Sequence, residues 1–308
     1  MRNILVMILA AAGAMIAGGS ADAQTQGKAV DTSPGKAPLH YISIGKPGGV
    51  PIIAVNGGPG FDHRYLIAAP VWHDMAERRQ IIFYDQRGTG DSPGADGREL
   101  SVATMVEDLE ALRKHLKVDR IDLVGHSWGG ILSMAYTTRY PEHVAHLVLV
   151  GSGDAKLTSH EYLFDKLYPD ITATIPPDPS PAGQMGCVAI DAYDRMSYYD
   201  QRNQVQASGP DAPRFSQETC TTVMLDAMSL DLYPALAKID VPTLVINGRF
   251  DANVAPTVAW RISRAIPGAE LAFFERSGHS PFVEEPEKFA LVVERFLAES
   301  KPEAGGKR

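Results

Sequence analysis

The chain has 308 residues, 44% hydrophobic and 21% charged, with a mean hydropathy of -0.11; this globular balance excludes a disordered or fibrous protein. Its formal charge is -8 and no basic run interrupts that acidity, which argues against a nucleic-acid partner. Two cysteines are too few for a disulfide scaffold or a cysteine-built metal cluster.

The chain opens with Arg2, an apolar stretch over residues 4–17 and the small-residue run Gly18-Gly19-Ser20-Ala21-Asp22-Ala23. That order describes a secretory signal peptide over residues 1–23, cleaved after Ala23 to leave a mature chain from Gln24. The alternative, an uncleaved anchor, needs roughly 20 apolar residues, more than this core supplies. A secreted or periplasmic protein with no membrane span after cleavage is therefore expected. Residues 24–38, polar and rich in Gly, Pro, Ser and Lys, read as a flexible lead-in.

Short apolar runs at 51–55, 80–84, 120–124, 146–150, 242–247 and 270–274 read as strands. Their hydrophobicity is nearly continuous rather than alternating, as suits strands covered on both faces. Between them Val102, Met105, Val106, Leu109, Leu112 and Leu116 recur at helical spacing, with Ser101 placed as the cap. Residues 256–265 and 286–299 read as further helices. Strands alternating with helices predict an α/β fold, a mostly parallel sheet with helices on both faces. Its core is expected over 39–151 and 239–299, with a polar tail at 300–308. Residues 152–238 break the rhythm: rich in Pro, Asp, Tyr and Met, they show helical patterns only at 161–167 and 219–232. They read as an inserted, mainly helical lid.

Gly125-His126-Ser127-Trp128-Gly129-Gly130 follows one strand and opens a helix. A Gly-x-Ser-x-Gly in that context forms a turn too tight for flanking side chains, which pushes the serine Oγ out at the carboxyl end of the sheet. A serine hydroxyl needs a base held by a third group. Of nine histidines, His279 lies in a loop just after the strand ending at Phe274, where α/β sheets place their chemistry. Asp251 lies after the strand at 242–247, between serine and histidine in chain order. Ser127, Asp251 and His279 are thus the expected triad, with His126 read as packing. The oxyanion donors are expected to be the backbone N–H of Trp128 and of Gly58, the latter in Asn56-Gly57-Gly58-Pro59-Gly60.

These residues bring a family into view. The chain resembles an α/β-hydrolase and, within that superfamily, the proline iminopeptidase (prolyl aminopeptidase) group. Asn56-Gly57-Gly58-Pro59-Gly60 is similar to its His-Gly-Gly-Pro-Gly oxyanion loop, and Asp85-Gln86-Arg87-Gly88-Thr89-Gly90-Asp91-Ser92 to its Asp-Gln-Arg-Gly-x-Gly-x-Ser turn. The elbow matches, and Gly248-Arg249-Phe250-Asp251 parallels its Gly-Arg-Tyr-Asp acid motif. The resemblance implies a serine hydrolase that works through an acyl-enzyme and releases N-terminal residues from short peptides. It departs from the family at Asn56, where the family has histidine, and in the lid, which lacks the family's glutamate motif for the substrate amine.

An aminopeptidase must pair an ammonium group in a partly dry pocket. Asp191, Asp194, Glu218 and Asp226 are the lid carboxylates that offer themselves. The alternative is an esterase, lactonase or amidase on an uncharged small molecule, for which Tyr193, Met196, Tyr198, Tyr199 and Met224 would suit the pocket. Export would let Cys187 and Cys220 pair, closing a loop of about 34 residues worth roughly 3–4 kcal/mol; two buried thiols are the alternative. No metal-binding spacing occurs, so neither metal nor cofactor is expected; the expected partner is a small molecule or short peptide. The sequence assigns no oligomeric state.

Overall fold

Along the central strands, successive side chains enter two different apolar clusters, one on each face of a sheet. Ile53 and Val55 join one cluster and Ile52 and Ala54 the other; Val245 is likewise separated from Leu244 and Ile246. Both faces are dry, so both parities must be apolar, which is why the strand sequences look continuous. The structure, a computed structural model, describes residues 25–26, 30–31, 38–92, 100–174, 187, 195–203 and 212–298. The proposed leader, most of the lead-in and the tail lie outside the described residues, as do Asp191, Tyr193 and Asp194.

The strands are β1 (Thr25–Gln26), β2 (Val30–Asp31), β3 (Pro38–Leu39), β4 (Tyr41–Ile44), β5 (Ile52–Val55), β6 (Ile81–Tyr84), β7 (Ile121–His126), β8 (Val144–Val150), β9 (Thr243–Gly248) and β10 (Glu270–Phe274). Eight form one sheet in the order β1-β4-β6-β5-β7-β8-β9-β10; β2 pairs with β3. The six strands from β5 to β10 run parallel, with Ala54 opposite Val124, Val124 opposite Val148 and Val148 opposite Leu244. The edge is antiparallel, β4 on β6 and β1 on β4. Sequence patterning anticipates the parallel strands to within a residue or two but not β4, whose Tyr-Ile-Ser-Ile run lacks the continuous hydrophobicity of β5 and β6.

The longer helices are α1 (Val71–Ala76), α2 (Val102–His115), α3 (Trp128–Arg139), α4 (Gln217–Ala227), α5 (Pro256–Ala265) and α6 (Pro286–Ala298). Apolar residues of α2, α3 and α5 fill one cluster, those of α1 and α6 the other. The Ser101 hydroxyl accepts from Thr104 N and the Thr104 hydroxyl from Ser101 N, a reciprocal cap that fixes the start of α2.

Residues between β8 and β9 depart from the expected helices. The first is confined to Phe164–Leu167, and α4 ends at Ala227, followed by a separate turn at Tyr233–Leu236. Val223, Ala227, Leu232 and Leu236 are buried in the same cluster as the sheet, so the returning arm of the insertion is anchored on the core. Among the described residues no helix is long and apolar enough to cross a membrane.

Candidate active site

Because β5 and β7–β10 are parallel, the segments that follow them leave one end of the sheet, and the chemistry gathers there. Ser127 sits at the turn from β7 into α3 with φ 56° and ψ -122°, a left-handed backbone that only strong local constraints hold in a non-glycine residue. Its N–H donates to Val150 O at 3.0 Å, and its carbonyl accepts from Gly130 N at 2.9 Å and Gly153 N at 3.0 Å. The flanking glycines are enforced by contact: a Cβ at Gly129 would lie 2.1 Å from Val55 O. Chain economy at this turn leaves the Ser127 side chain partly exposed at the amino end of α3.

Asp251 and His279 come together from the ends of β9 and β10. His279 Nδ1 lies 2.9 Å from Asp251 Oδ2, and Asp251 is fully buried. The other carboxylate oxygen accepts from Asn253 N at 2.9 Å and Val254 N at 2.8 Å, a local turn that aims the acid. His279 N donates to Ser197 O at 2.7 Å, tying the loop to the insertion. The Asn253 carboxamide nitrogen lies 3.0 Å from His279 Nε2. No sequence signal marks Asn253.

Gly151, at the end of β8, is a second residue that sequence reading misses. Its φ is +49°, and a Cβ there would lie 3.0 Å from both Nδ1 and O of His279 and 3.3 Å from Asp251 Oδ2. The pair therefore packs directly on bare backbone.

The loop after β5 is held from several sides. Asn56, fully buried, donates from Nδ2 to Phe61 O at 2.6 Å and closes the turn. Gln86 Nε2 donates to Asn56 O at 2.7 Å while Gln86 Oε1 accepts from Trp128 Nε1 at 2.9 Å, so this glutamine joins the loop to the elbow. Gly57 N donates to Tyr65 Oη at 2.5 Å. The next residue, Gly58, is exposed with φ +127° and its carbonyl enters a cis peptide bond to Pro59. Gly57 N–H is thus taken, and the next backbone N–H groups at this loop and at the elbow belong to Gly58 and to Trp128, the latter at the first turn of α3.

The Asp85–Ser92 turn anchors these loops. Arg87 meets Asp108 through Nε at 2.8 Å and Nη2 at 2.5 Å in a buried two-pronged pair. Asp85 accepts from His63 N at 3.1 Å and Asp91 N at 2.8 Å and faces His63 Nδ1 at 2.6 Å. Burial works to raise the Asp85 pKa, but its bonds to His40 and His63 prevail and hold it well below the usual carboxylate range. The same pairing raises His40. His40, His63 and Asp85 are a triplet of possible metal ligands, with candidate atoms within 4.8 Å of one another.

Of the expected amine-binding carboxylates, Glu218 is exposed on α4. Asp226 accepts from Val102 N at 2.8 Å, so it caps the start of α2. Sequence alone does not reveal this, because the N–H it serves belongs to a distant helix. Cys187 and Cys220 are joined by a disulfide. Cys220 lies on α4 against the oxyanion loop: a Cβ at Gly60 would be 3.1 Å from Cys220 Cβ, and Ser216 N donates to Gly60 O at 2.9 Å. His126 is not mere packing, since both its ring nitrogens are engaged.

A parallel sheet with a strained serine elbow at its carboxyl end defines a class of protein, and residues 50–286 match that class: the chain belongs to the alpha/beta hydrolase fold family and is a hydrolase. Its relatives include several proline iminopeptidases. That of Clostridium botulinum is 31% identical, covering 80% of this chain and 89% of its own length. The probable proline iminopeptidase of Leptolyngbya boryana is 28% identical over 85% of this chain and 91% of its own length. The 2-hydroxy-6-oxo-2,4-heptadienoate hydrolase of Pseudomonas putida is also 28% identical, covering 84% and 92%. Among solved structures, an esterase from Exiguobacterium antarcticum superposes with a TM-score of 0.68 at 21% identity, covering 89% of this chain and all of that one. Proline iminopeptidase from Mycobacterium smegmatis gives 0.64 at 21% identity, covering 88% and 97%.

Proposed function

We propose that the protein is a secreted serine hydrolase that acts through an acyl-enzyme and, as its iminopeptidase relatives suggest, releases N-terminal residues, proline among them, from short peptides. The observation that carries the mechanism is the 2.9 Å contact between Asp251 Oδ2 and His279 Nδ1 at the same sheet end as the Ser127 elbow. Ser127 Oγ attacks the acyl carbon while His279 Nε2 takes its proton. Asp251 holds the Nδ1–H tautomer and stabilises the imidazolium that forms. Gly58 and Trp128 N–H receive the oxyanion, and His279 returns the proton to the leaving amine. Water, deprotonated in turn by His279, then releases the product and restores Ser127.

Secretion is supported by the leader pattern of residues 1–23 and by the Cys187–Cys220 disulfide, which suits an oxidising compartment. The lid role of residues 152–238 belongs to the same proposal and is supported by the bond from His279 N to Ser197 O, which joins a described part of that segment to the His279 loop.

One observation favours a second reading, an esterase, lactonase or amidase for uncharged substrates. Asp226 already accepts from Val102 N and Glu218 faces solvent, so neither described candidate offers a buried, unengaged carboxylate for a substrate ammonium. Purified mature protein tested on proline and alanine anilides, short peptides and short-chain esters separates the two: ester turnover without any release from a free-amine anilide overturns the peptidase. Ser127→Ala should abolish turnover of every substrate with the melting temperature unchanged, and appreciable residual activity would refute the assignment. N-terminal sequencing of exported protein should begin near Gln24; an intact Met1 would count against cleavage.

A further inference from the structure

We propose that Tyr65 and His126 are positioning residues that lock the oxyanion loop to the loop carrying His279, so that donor and base are set around Ser127 as one unit. The inference rests on the serine-hydrolase reading and adds to it a device that none of the expected site residues supplies.

The chain of contacts is short and buried. Gly57 N lies 2.5 Å from Tyr65 Oη, Tyr65 Oη lies 2.8 Å from His126 Nδ1, and His126 Nε2 lies 3.0 Å from His279 O. Gly57 itself abuts the nucleophile: a Cβ there would be 2.8 Å from Ser127 Cβ and 2.9 Å from Tyr65 Oη. The two ends of the chain are thus the backbone beside the attacking serine and the backbone of the base.

The polarity of every bond is forced from both ends. A carbonyl oxygen only accepts, so His126 Nε2 carries the proton that His279 O receives. A neutral imidazole then has only a lone pair at Nδ1, so Tyr65 donates its hydroxyl proton there. The Tyr65 oxygen keeps its lone pairs for the Gly57 N–H, which can only donate. His126 stays neutral because burial holds it well below the ordinary histidine range, reinforced by His279, whose ring centroid is 4.7 Å away. That neutrality serves the reaction as well, since a charged ring there would oppose the imidazolium formed at His279 in each turnover. Tyr65 stays protonated for the same reason: burial raises its pKa, against the smaller opposing effect of Gly57 N–H.

If these rings only fill space, removing the hydroxyl is silent; if they hold the two loops in register, it is not. Misplacing a catalytic group by about 1 Å can cost on the order of 100-fold in rate. With p-nitrophenyl acetate as substrate, Tyr65→Phe is expected to lower kcat by about 10- to 100-fold with KM within about two-fold of the parent. His126→Phe, which keeps an aromatic ring, should do the same. The double variant should lose no more than the worse single variant, because both break one chain. An unchanged kcat in Tyr65→Phe, or losses that multiply, overturns the proposal. A 15N measurement on the unmodified protein decides it without any variant. His126 should show Nε2 protonated and Nδ1 bare at neutral pH, and the opposite tautomer or a charged ring there overturns the proposal. Ser127→Ala in the same assay keeps the two readings apart. If it retains turnover, the nucleophile assignment fails and with it the positioning role; if it is dead while Tyr65→Phe runs at full rate, only the relay fails.

Discussion

The carboxamide of Asn253 stands 3.0 Å from Nε2 of His279, on the nitrogen that the proposed mechanism needs for the Ser127 proton. With the Nδ1 proton directed at Asp251, a neutral His279 has only a lone pair at Nε2, so Asn253 presents its NH2 group there. His160 secures Asn253 from behind, its Nε2 lying 2.9 Å from Asn253 O, and Asp154 N donates to His160 Nδ1 at 3.3 Å. In the proposed mechanism Asn253 would therefore compete with Ser127 for one lone pair.

That competition has a sign. A net hydrogen bond is worth about 1 kcal/mol, or roughly five-fold. Asn253→Ala should therefore speed the reaction of Ser127 with a fluorophosphonate by about five-fold, read by labelling kinetics. Asn253→Asp should do the reverse: an anion beside Nε2 favours the protonated ring, which cannot take the Ser127 proton, so the acid limb of the rate profile moves to higher pH and activity at neutral pH falls. If both substitutions leave rate and profile unchanged, Asn253 takes no part in setting the base.

Gly151→Ala tests how tightly the acid-base pair is seated. The new methyl would meet His279 Nδ1 at 3.0 Å and Asp251 Oδ2 at 3.3 Å, from a residue whose φ of +49° already disfavours a side chain. Backbone strain alone costs on the order of 1–3 kcal/mol. The expected result is a lower midpoint in chemical denaturation together with a kcat reduced by about 10- to 100-fold. A variant that is destabilised but fully active would show that the pair tolerates displacement.

What was readable in the sequence and what was not divides on physical lines. The Ser127 elbow, the strands before it and the ends of β9 and β10 leave local signatures, because a turn, a buried strand and a strand-end loop are each specified by adjacent residues. Asn253 and Gly151 leave none, and the turn motif that contains Gln86 does not show what its side chain bridges. Gly151 looks like any strand-ending glycine until His279 is packed on it, and Gln86 bridges Asn56 and Trp128 only once three strands are aligned. Asp226 is a different case, an acidic residue in the insertion whose capping role at the start of α2 depends on a distant backbone N–H. Strand β4 escapes notice because its pairing with β1 and β6, not its own pattern, makes it a strand.

A pH effect follows from Glu284, which clamps the insertion to the His279 loop. Its oxygens accept from Tyr199 N at 2.7 Å, Asp200 N at 3.1 Å and Gly278 N at 2.6 Å. Burial nonetheless pushes its pKa up to about 7, against those three bonds. Because the folded value lies above the unfolded one, the folded state binds the extra proton between about pH 4.5 and 7. This contribution to stability is therefore full below about pH 4.5 and is lost as pH rises to 7, by about 1–2 kcal/mol once partial solvation is allowed for. Glu284→Gln should flatten that slope while lowering stability throughout, since its carbonyl oxygen can serve only one side of the clamp and its NH2 group must then face a backbone N–H, donor to donor. An unchanged slope in denaturation midpoints from pH 4.5 to 7 would remove Glu284 as its source.

Reduction of the Cys187–Cys220 disulfide should reach the site by a path visible in the packing. The bond spans 33 positions, for which loop-closure entropy predicts a loss of about 3–4 kcal/mol on opening. The helix that carries Cys220 also rests on the oxyanion loop through Ser216 N to Gly60 O, and the Phe61 and Phe215 rings meet with centroids 4.8 Å apart. Loosening α4 therefore loosens the segment that presents Gly58. Treatment with dithiothreitol, or Cys187→Ser with Cys220→Ser, should lower the denaturation midpoint and reduce kcat more than KM changes, because the oxyanion donor acts in the transition state. A reduced protein as active as the oxidised one would show that the oxyanion loop keeps its shape through Asn56, Gln86 and Tyr65 alone.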